Sequence, residues 1–389
     1  MTPFRPMLVL CLSTLLLSCS RPAKTVAASQ PAPPDIFAEA APHSREANDA
    51  GRFLAGLPGA EGSPFADLET QEAWKVHRRE LDRAWSGIET KSLPAMQQFQ
   101  AKELSAPAIV DARVFYPFSG PDALMLTVFF PRNPVYVMVA LEPPGTLPTA
   151  KHFAKKDLGK ALAGVRETVS DELHRSFFIT RQMDRQFRGQ VTDGLLPPIL
   201  LLLVRSGHTI QGYRYVQIDH TGQIIPRGTG PTTETGNKGV QVDFVTDSDG
   251  SAHRLYYFST NLADQRLKNN TGFLAFMAEM KGATTYFKAT SYMTHKPEFS
   301  EIRDQVLAKS VAVLQDDSGI PYRYFEAEPW HVQLYGEYER PYGSFRWLEQ
   351  KDLRKAYDTP GTKPLPFQIG YGFRKAPSNL LFARKGDLK

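Results

Sequence analysis

The chain has 389 residues, 42% of them hydrophobic, a formal net charge of +5 and two cysteines. That length is enough to bury a substantial core, and the basic residues are scattered rather than clustered, which argues against nucleic acid as a partner. The longest apolar run of the body, Leu195 to Val204, contains Pro197 and Pro198 and falls well short of the roughly 20 residues a spanning helix needs. Several long helical stretches also speak against an outer-membrane barrel of alternating strands.

Arg5 stands before an apolar run, Met7 to Leu17, that closes on Leu16-Leu17-Ser18-Cys19. A basic start, a short apolar stretch and small residues at the cut make residues 1–18 a secretory signal. A cysteine at the cut itself resembles the lipobox of bacterial lipoproteins. The resemblance implies cleavage before Cys19 and acylation of its sulfur and amine with fatty chains such as palmitate. Two or more such chains anchor a protein stably to a membrane. Residue 20 is serine rather than aspartate, which by resemblance to enterobacterial sorting rules implies the outer membrane. Cys11 falls inside the signal. The mature body is therefore expected to have no disulfide, no thiol nucleophile and no cysteine-ligated zinc.

Residues 19–45, rich in Ala, Pro and Ser, are expected to form a flexible tether. The body, 46–389, follows. Trp74, Leu81, Trp85 and Ile88 share one face at helical spacing, and Ser92 and Pro94 restart a shorter helix to about Leu104. Ala112–Phe118, Ala123–Phe130 and Val135–Leu141 read as three strands. The second is apolar on both faces and the third is similar, which suits the inside of a covered sheet. Short connectors imply antiparallel neighbours. Residues 154–190 read as mostly helical, Leu195–Val204 as a buried helix or strand, Ile210–Ile218 as a strand and 219–238 as a surface loop. Val240–Phe244 and Arg254–Ser259 form a hairpin with one wet face. Helices over Thr271–Met280 and Phe299–Lys309 flank a strand near Thr284–Thr290. Beyond them, strands over His331–Tyr338, Phe367–Phe373 and Asn379–Ala383 accompany a helix near Gln350–Tyr357. Hairpins and helices alternate without a βαβ rhythm, so the expected class is α+β, a mixed and mainly antiparallel sheet covered by helices. Two similar halves, about 105–210 and 239–389, are suggested by aromatic-rich segments ending in methionine (Phe177–Met183, Tyr286–Met293).

Tyr116-Pro117-Phe118-Ser119-Gly120-Pro121-Asp122 and Gln315-Asp316-Asp317-Ser318-Gly319-Ile320-Pro321-Tyr322-Arg323 resemble segments of an uncharacterised family of bacterial secreted proteins, with likeness over most of the body after residue 100. That resemblance implies no activity. Taken alone, Ser119 is a nucleophile candidate, but no G-x-S-x-G elbow surrounds it and Ser-Gly-Pro-Asp, ending at Asp122, is turn chemistry. Asp316 and Asp317 form the strongest polar cluster: one can bind a cation or accept a proton while the other caps the turn, and Arg323 can pair with either. His295 is a further catalytic candidate. His77-x-x-Glu80 is expected on a solvated helix face, His174 on a charged one, and Asp247-Ser248-Asp249-Gly250 is a hairpin turn, not a calcium loop. No HExxH, Walker or dinucleotide motif occurs, so no metal or cofactor is expected. Trp330, Tyr335, Tyr338, Tyr342, Phe345 and Trp347 crowd together and offer either core packing or stacking faces for sugars.

Two functions stay open. One is a non-catalytic envelope lipoprotein that binds a glycan, lipid or protein partner. The other is a periplasm-facing hydrolase or transferase using Ser119, His295, Asp316 or Asp317.

Overall fold

A computed structural model of the chain describes residues 35–175, 193–227, 237–326, 329–341, 343–372 and 377–386. Cys19, most of the expected tether, Phe177–Met183, residues 228–236 and Tyr342 lie outside the described residues, as does the side chain of His174. Among the described residues no helix is long and apolar enough to cross a membrane.

The fold is α+β: helices cover a mixed ten-stranded sheet. The strands are β1 (Val114–Pro117), β2 (Val135–Ala140), β3 (His208–Ile218), β4 (Ile224–Pro226), β5 (Asn237–Thr246), β6 (Ala252–Ser259), β7 (Ala283–Phe287), β8 (Ser310–Gln315), β9 (Trp330–Gly336) and β10 (Asn379–Lys385). Their order is β4-β3-β5-β6-β2-β1-β7-β8-β10-β9. The outer pairs are antiparallel, whereas β6, β2, β1, β7 and β8 run parallel. The expected antiparallel pairing of the first strands is thus corrected. β1 pairs parallel with β2, Val114 opposite Tyr136, because the segment between them is a helix.

Besides short helices at Ala66–Glu69, Pro107–Val110 and Ala150–Ala154, the described helices are α1 (Arg45–Leu54), α2 (Glu72–Lys91), α3 (Leu93–Glu103), α4 (Ala123–Phe129), α5 (Leu158–Arg175), α6 (Leu196–Arg205), α7 (Asp264–Leu267), α8 (Thr271–Ala278), α9 (Ser300–Lys309) and α10 (Lys351–Tyr357). α4 replaces the expected strand Ala123–Phe130. Its residues are buried all round, and an apolar run of that length does not distinguish a buried helix from a buried strand. Local chemistry decides: Asp122 caps the helix by accepting the Met125 amide at 3.1 Å.

Strand side chains alternate between two cores. Val114, Tyr116, Tyr136 and Met138 face one, with Trp74, Leu81 and Trp85 of α2 and the apolar Ile199–Val204 stretch of α6. Phe115, Val137 and Val139 face the other, with Phe273 and Phe276 of α8 and Ile302 and Val306 of α9. This three-layer arrangement explains why the central strands are apolar on both faces.

Residues 36–44 are packed, ahead of the expected tether boundary at 45. Phe37, 2% exposed, meets Tyr256 and Phe276 edge-on, each at 5.7 Å. The Ala41 amide donates to Asp243 at 2.8 Å, Gln241 donates to the Glu39 carbonyl at 2.9 Å, and Arg214 pairs with Glu39 at 2.6 Å. The segment therefore lies over the face of the β5–β6 hairpin that was expected to be wet. In place of the expected strand over Phe367–Phe373, residues 367–369 are irregular and Gly370–Gly372 is a 3-10 turn, with Phe373 outside the described residues.

His77 is corrected as well. It is wholly buried, with Nε2 2.8 Å from the Leu54 carbonyl and Nδ1 3.3 Å from the Arg166 guanidinium, because α1 and α5 both pack on α2.

Candidate functional site

The parallel strands present their carboxyl ends along one edge of the sheet, and the connections from β1 and β7 leave in opposite directions, to β2 and to β8. Such a switch point opens a crevice where ligands bind in open parallel sheets. The loops that follow β1, β7 and β8 carry Ser119, Lys288–Tyr292 and Asp316–Gly319. Asn379, at the start of antiparallel β10, joins them beside β8.

Left-handed backbone concentrates here. Phe118, Ala289, Ser291 and Tyr292 have φ of 60°, 50°, 54° and 54°, a region that costs non-glycine residues about 1–2 kcal/mol each. The 289–292 loop is held from neighbouring strands. The Ala289 amide donates to Asp316 Oδ2 at 2.8 Å, the Thr290 amide to Ser318 Oγ at 2.8 Å, and the Ser291 amide to the Tyr371 hydroxyl at 3.0 Å. Tyr371 in turn donates to the Ala289 carbonyl at 2.9 Å. Asp316 Oδ1 accepts from the Ser318 amide at 3.0 Å and its hydroxyl at 2.5 Å. At Gly370, with φ +58°, a Cβ would sit 2.3 Å from Asp316 Oδ2, so only glycine passes there. Asp316 is spent on the scaffold.

Asp317 is different. Its Oδ2 accepts from the Tyr292 hydroxyl at 2.6 Å and its Oδ1 from Asn379 Nδ2 at 3.1 Å. Each oxygen keeps acceptor capacity, and the residue lines a cleft of about 250 Å³. Tyr292, Phe345 and Tyr371 wall that cleft, with ring centroids 5.0, 5.2 and 6.0 Å apart. Glu339 and Arg340 stand on the lining, and Trp347, two residues beyond Phe345, is 73% exposed.

Burial, and then the neighbouring Asp317 charge, push the Asp316 carboxyl up to about 7. Burial raises Asp317 too, against the Tyr292 and Asn379 hydrogen bonds that lower it, so the two titrate as a pair. Burial and the Asp317 charge raise the Tyr292 phenol, which keeps it a donor. Burial holds the His295 imidazole down at about 4. Its ring meets Tyr292 edge-on at 5.0 Å, and its Nε2 has no hydrogen-bond partner among the described residues.

The other candidates have structural duties. Ser119, 5% exposed, turns its Oγ to the carbonyls of Gly120 and Val139 at 3.0 and 3.5 Å, which leaves it unactivated. Asp122 caps α4, accepts from the Tyr116 hydroxyl at 2.8 Å and pairs with buried Lys288 at 2.6 Å. Arg323 is exposed and lies 5.0 Å over the Tyr324 ring, with no ion pair to either aspartate among the described residues. Trp330 packs edge-on against Phe325 at 5.2 Å. Tyr335 is buried and donates to Glu103 at 2.6 Å, and Tyr338 accepts from the Gln350 amide at 2.9 Å. Among the described residues of that crowd, Phe345 lines the cleft.

Tyr292, Tyr371 and Asn379 were not singled out from sequence. They arrive from three distant loops, and no local pattern announces them. No protein-family model, no curated protein and no solved structure matches this chain.

Proposed function

We propose that the protein is a lipid-anchored envelope lipoprotein that binds a glycan, without turning it over, in the cleft at Asp317. The cleft itself carries this reading. Its volume lies just under the roughly 300–1,000 Å³ of drug-sized sites, which suits one sugar ring. The C–H face of a pyranose packs on aromatic rings such as Tyr371 and Phe345, while its hydroxyls can donate to the Asp317 carboxylate, whose orientation Tyr292 and Asn379 fix. A ring-and-carboxylate cleft is polar where hydroxyls point and apolar where they do not. The signal sequence, the lipobox and the proline-rich tether supply the location.

Calorimetric titration of the mature protein in detergent with soluble peptidoglycan oligosaccharides tests it. Binding is expected, with the sugars recovered intact. Asp317→Asn should weaken it at least tenfold, and Ser119→Ala should leave it unchanged. Absence of binding to every fragment, or equal losses in the two variants, would overturn the reading.

Hydrolysis or group transfer is the second reading, favoured by the unpartnered His295 Nε2 behind Tyr292. Shortened fragments in the same titration, absent with Asp317→Asn, would establish it in place of simple binding.

A further inference from the structure

A second polar hollow opens on the same edge of the sheet. It has a volume of about 380 Å³ and lies at the end of β3, the start of β5 and the end of β6. β3 and β6 both run antiparallel to β5, and β6 runs parallel to β2. The ends of β3 and β6 therefore fall on the same side as those of β1, β7 and β8. Four strand spacings separate β6 from β8, about 19 Å at the usual inter-strand distance. Half-buried Phe118 and Leu141, 61% exposed, follow the intervening strands β1 and β2.

The floor of this hollow is a closed amide network. Asn237 and Asn270 exchange hydrogen bonds at 3.1 and 2.6 Å, and Thr260 donates to Asn237 at 2.9 Å. Its rim carries Asp219, Ser259, Asn261, Gln265, Arg266 and Asn269. Apart from Ile218 and Gly272 the described lining residues carry polar side chains. Ile218 is the one large apolar side chain it offers to an acyl chain or an apolar peptide, and a single arginine is poor provision for a polyanion. Amides and hydroxyls at several angles match a polyhydroxylated ring.

Resting on the glycan reading of the Asp317 cleft, we propose that this hollow is a second subsite for the same ligand, and that the ligand is a linear oligosaccharide lying along the carboxyl edge of the sheet. A disaccharide reaches one subsite; a longer chain reaches both, and the second contact is then made at high effective concentration.

The test is a length series of peptidoglycan oligosaccharides, disaccharide against octasaccharide, titrated into the mature protein and into a Gln265→Ala/Asn269→Ala variant. Both positions are exposed, so the fold survives the change. The wild-type protein should bind the octasaccharide at least tenfold more tightly than the disaccharide. The variant should lose most of that gain and keep its disaccharide affinity. Equal affinities for the two lengths, or a length effect untouched by the variant, would overturn the second subsite alone. Failure of both lengths to bind would instead overturn the glycan reading beneath it.

Discussion

The Asp122–Lys288 pair shows how a catalytic-looking residue can be structural. Their side chains are 1% and 2% exposed, and Asp122 also receives the Tyr116 hydroxyl and the Met125 amide. A charge so enclosed must keep its partner, because losing one member of a buried pair leaves the other uncompensated, at a cost of about 3–5 kcal/mol. Lys288→Met should therefore lower the urea-unfolding free energy by that amount, while the double variant Asp122→Asn/Lys288→Met should recover part of the loss. If the double variant is as unstable as the sum of the single ones, the pairing is not what matters. The same reasoning separates the two adjacent aspartates. Sequence shows Asp316 and Asp317 as one acidic cluster, yet Asp316 faces the Ala289 amide and Asp317 faces the cleft. That division depends on which strand loops stand opposite them, and neighbouring residues in the chain carry no record of it.

Among the elements, the loop after β7 stands out for its backbone. Ala289, Ser291 and Tyr292 take left-handed conformations without glycine, held by Asp316, Ser318 and Tyr371. Strain kept in place by surrounding bonds tends to gather at ligand sites. Replacing Ala289 by glycine removes the steric conflict, so Ala289→Gly should raise stability by up to about 1 kcal/mol, read as a higher urea midpoint at unchanged slope. A lower midpoint would mean the loop is unstrained. Legibility in the sequence followed the same logic. Helix α2 was visible because Trp74, Leu81, Trp85 and Ile88 repeat on one face with charges between them. Helix α4 was not, because a segment buried all round erases its own period. The packed strip 36–44 was hidden for the opposite reason: it is bound through backbone groups and single side chains such as Phe37 and Glu39, which leave no periodic trace. The cleft was half legible, through Asp317 and Phe345, since its remaining walls come from loops far apart in the chain.

For the whole molecule, buried ionisable groups set how stability responds to pH, and they oppose one another. Burial depresses His77 and His295 to about 4, below the ordinary histidine value near 6.5. Between those values the unfolded chain binds protons that the folded chain refuses, so both histidines make stability fall as pH falls from 6.5 toward 4. Asp316, raised to about 7, and Asp317, also raised, act the other way. The protonated carboxyl is the form the fold favours, and its contribution, full below about 3.8, is lost as pH rises toward 7. The opposing slopes overlap in mildly acidic solution, which should leave the intact protein with a shallow pH profile there. His77 can be read out separately, since it is wholly buried and far along the chain from the aspartates. In His77→Gln the histidine contribution is gone. The stability gap between wild-type and variant should therefore shrink by about 2 kcal/mol from pH 7 to pH 4.5, measured by urea titration of both proteins at both pH values. A gap that stays constant would show that the His77 imidazole already takes up its proton in the folded protein, and that the α1–α2–α5 junction is wetter than its packing implies.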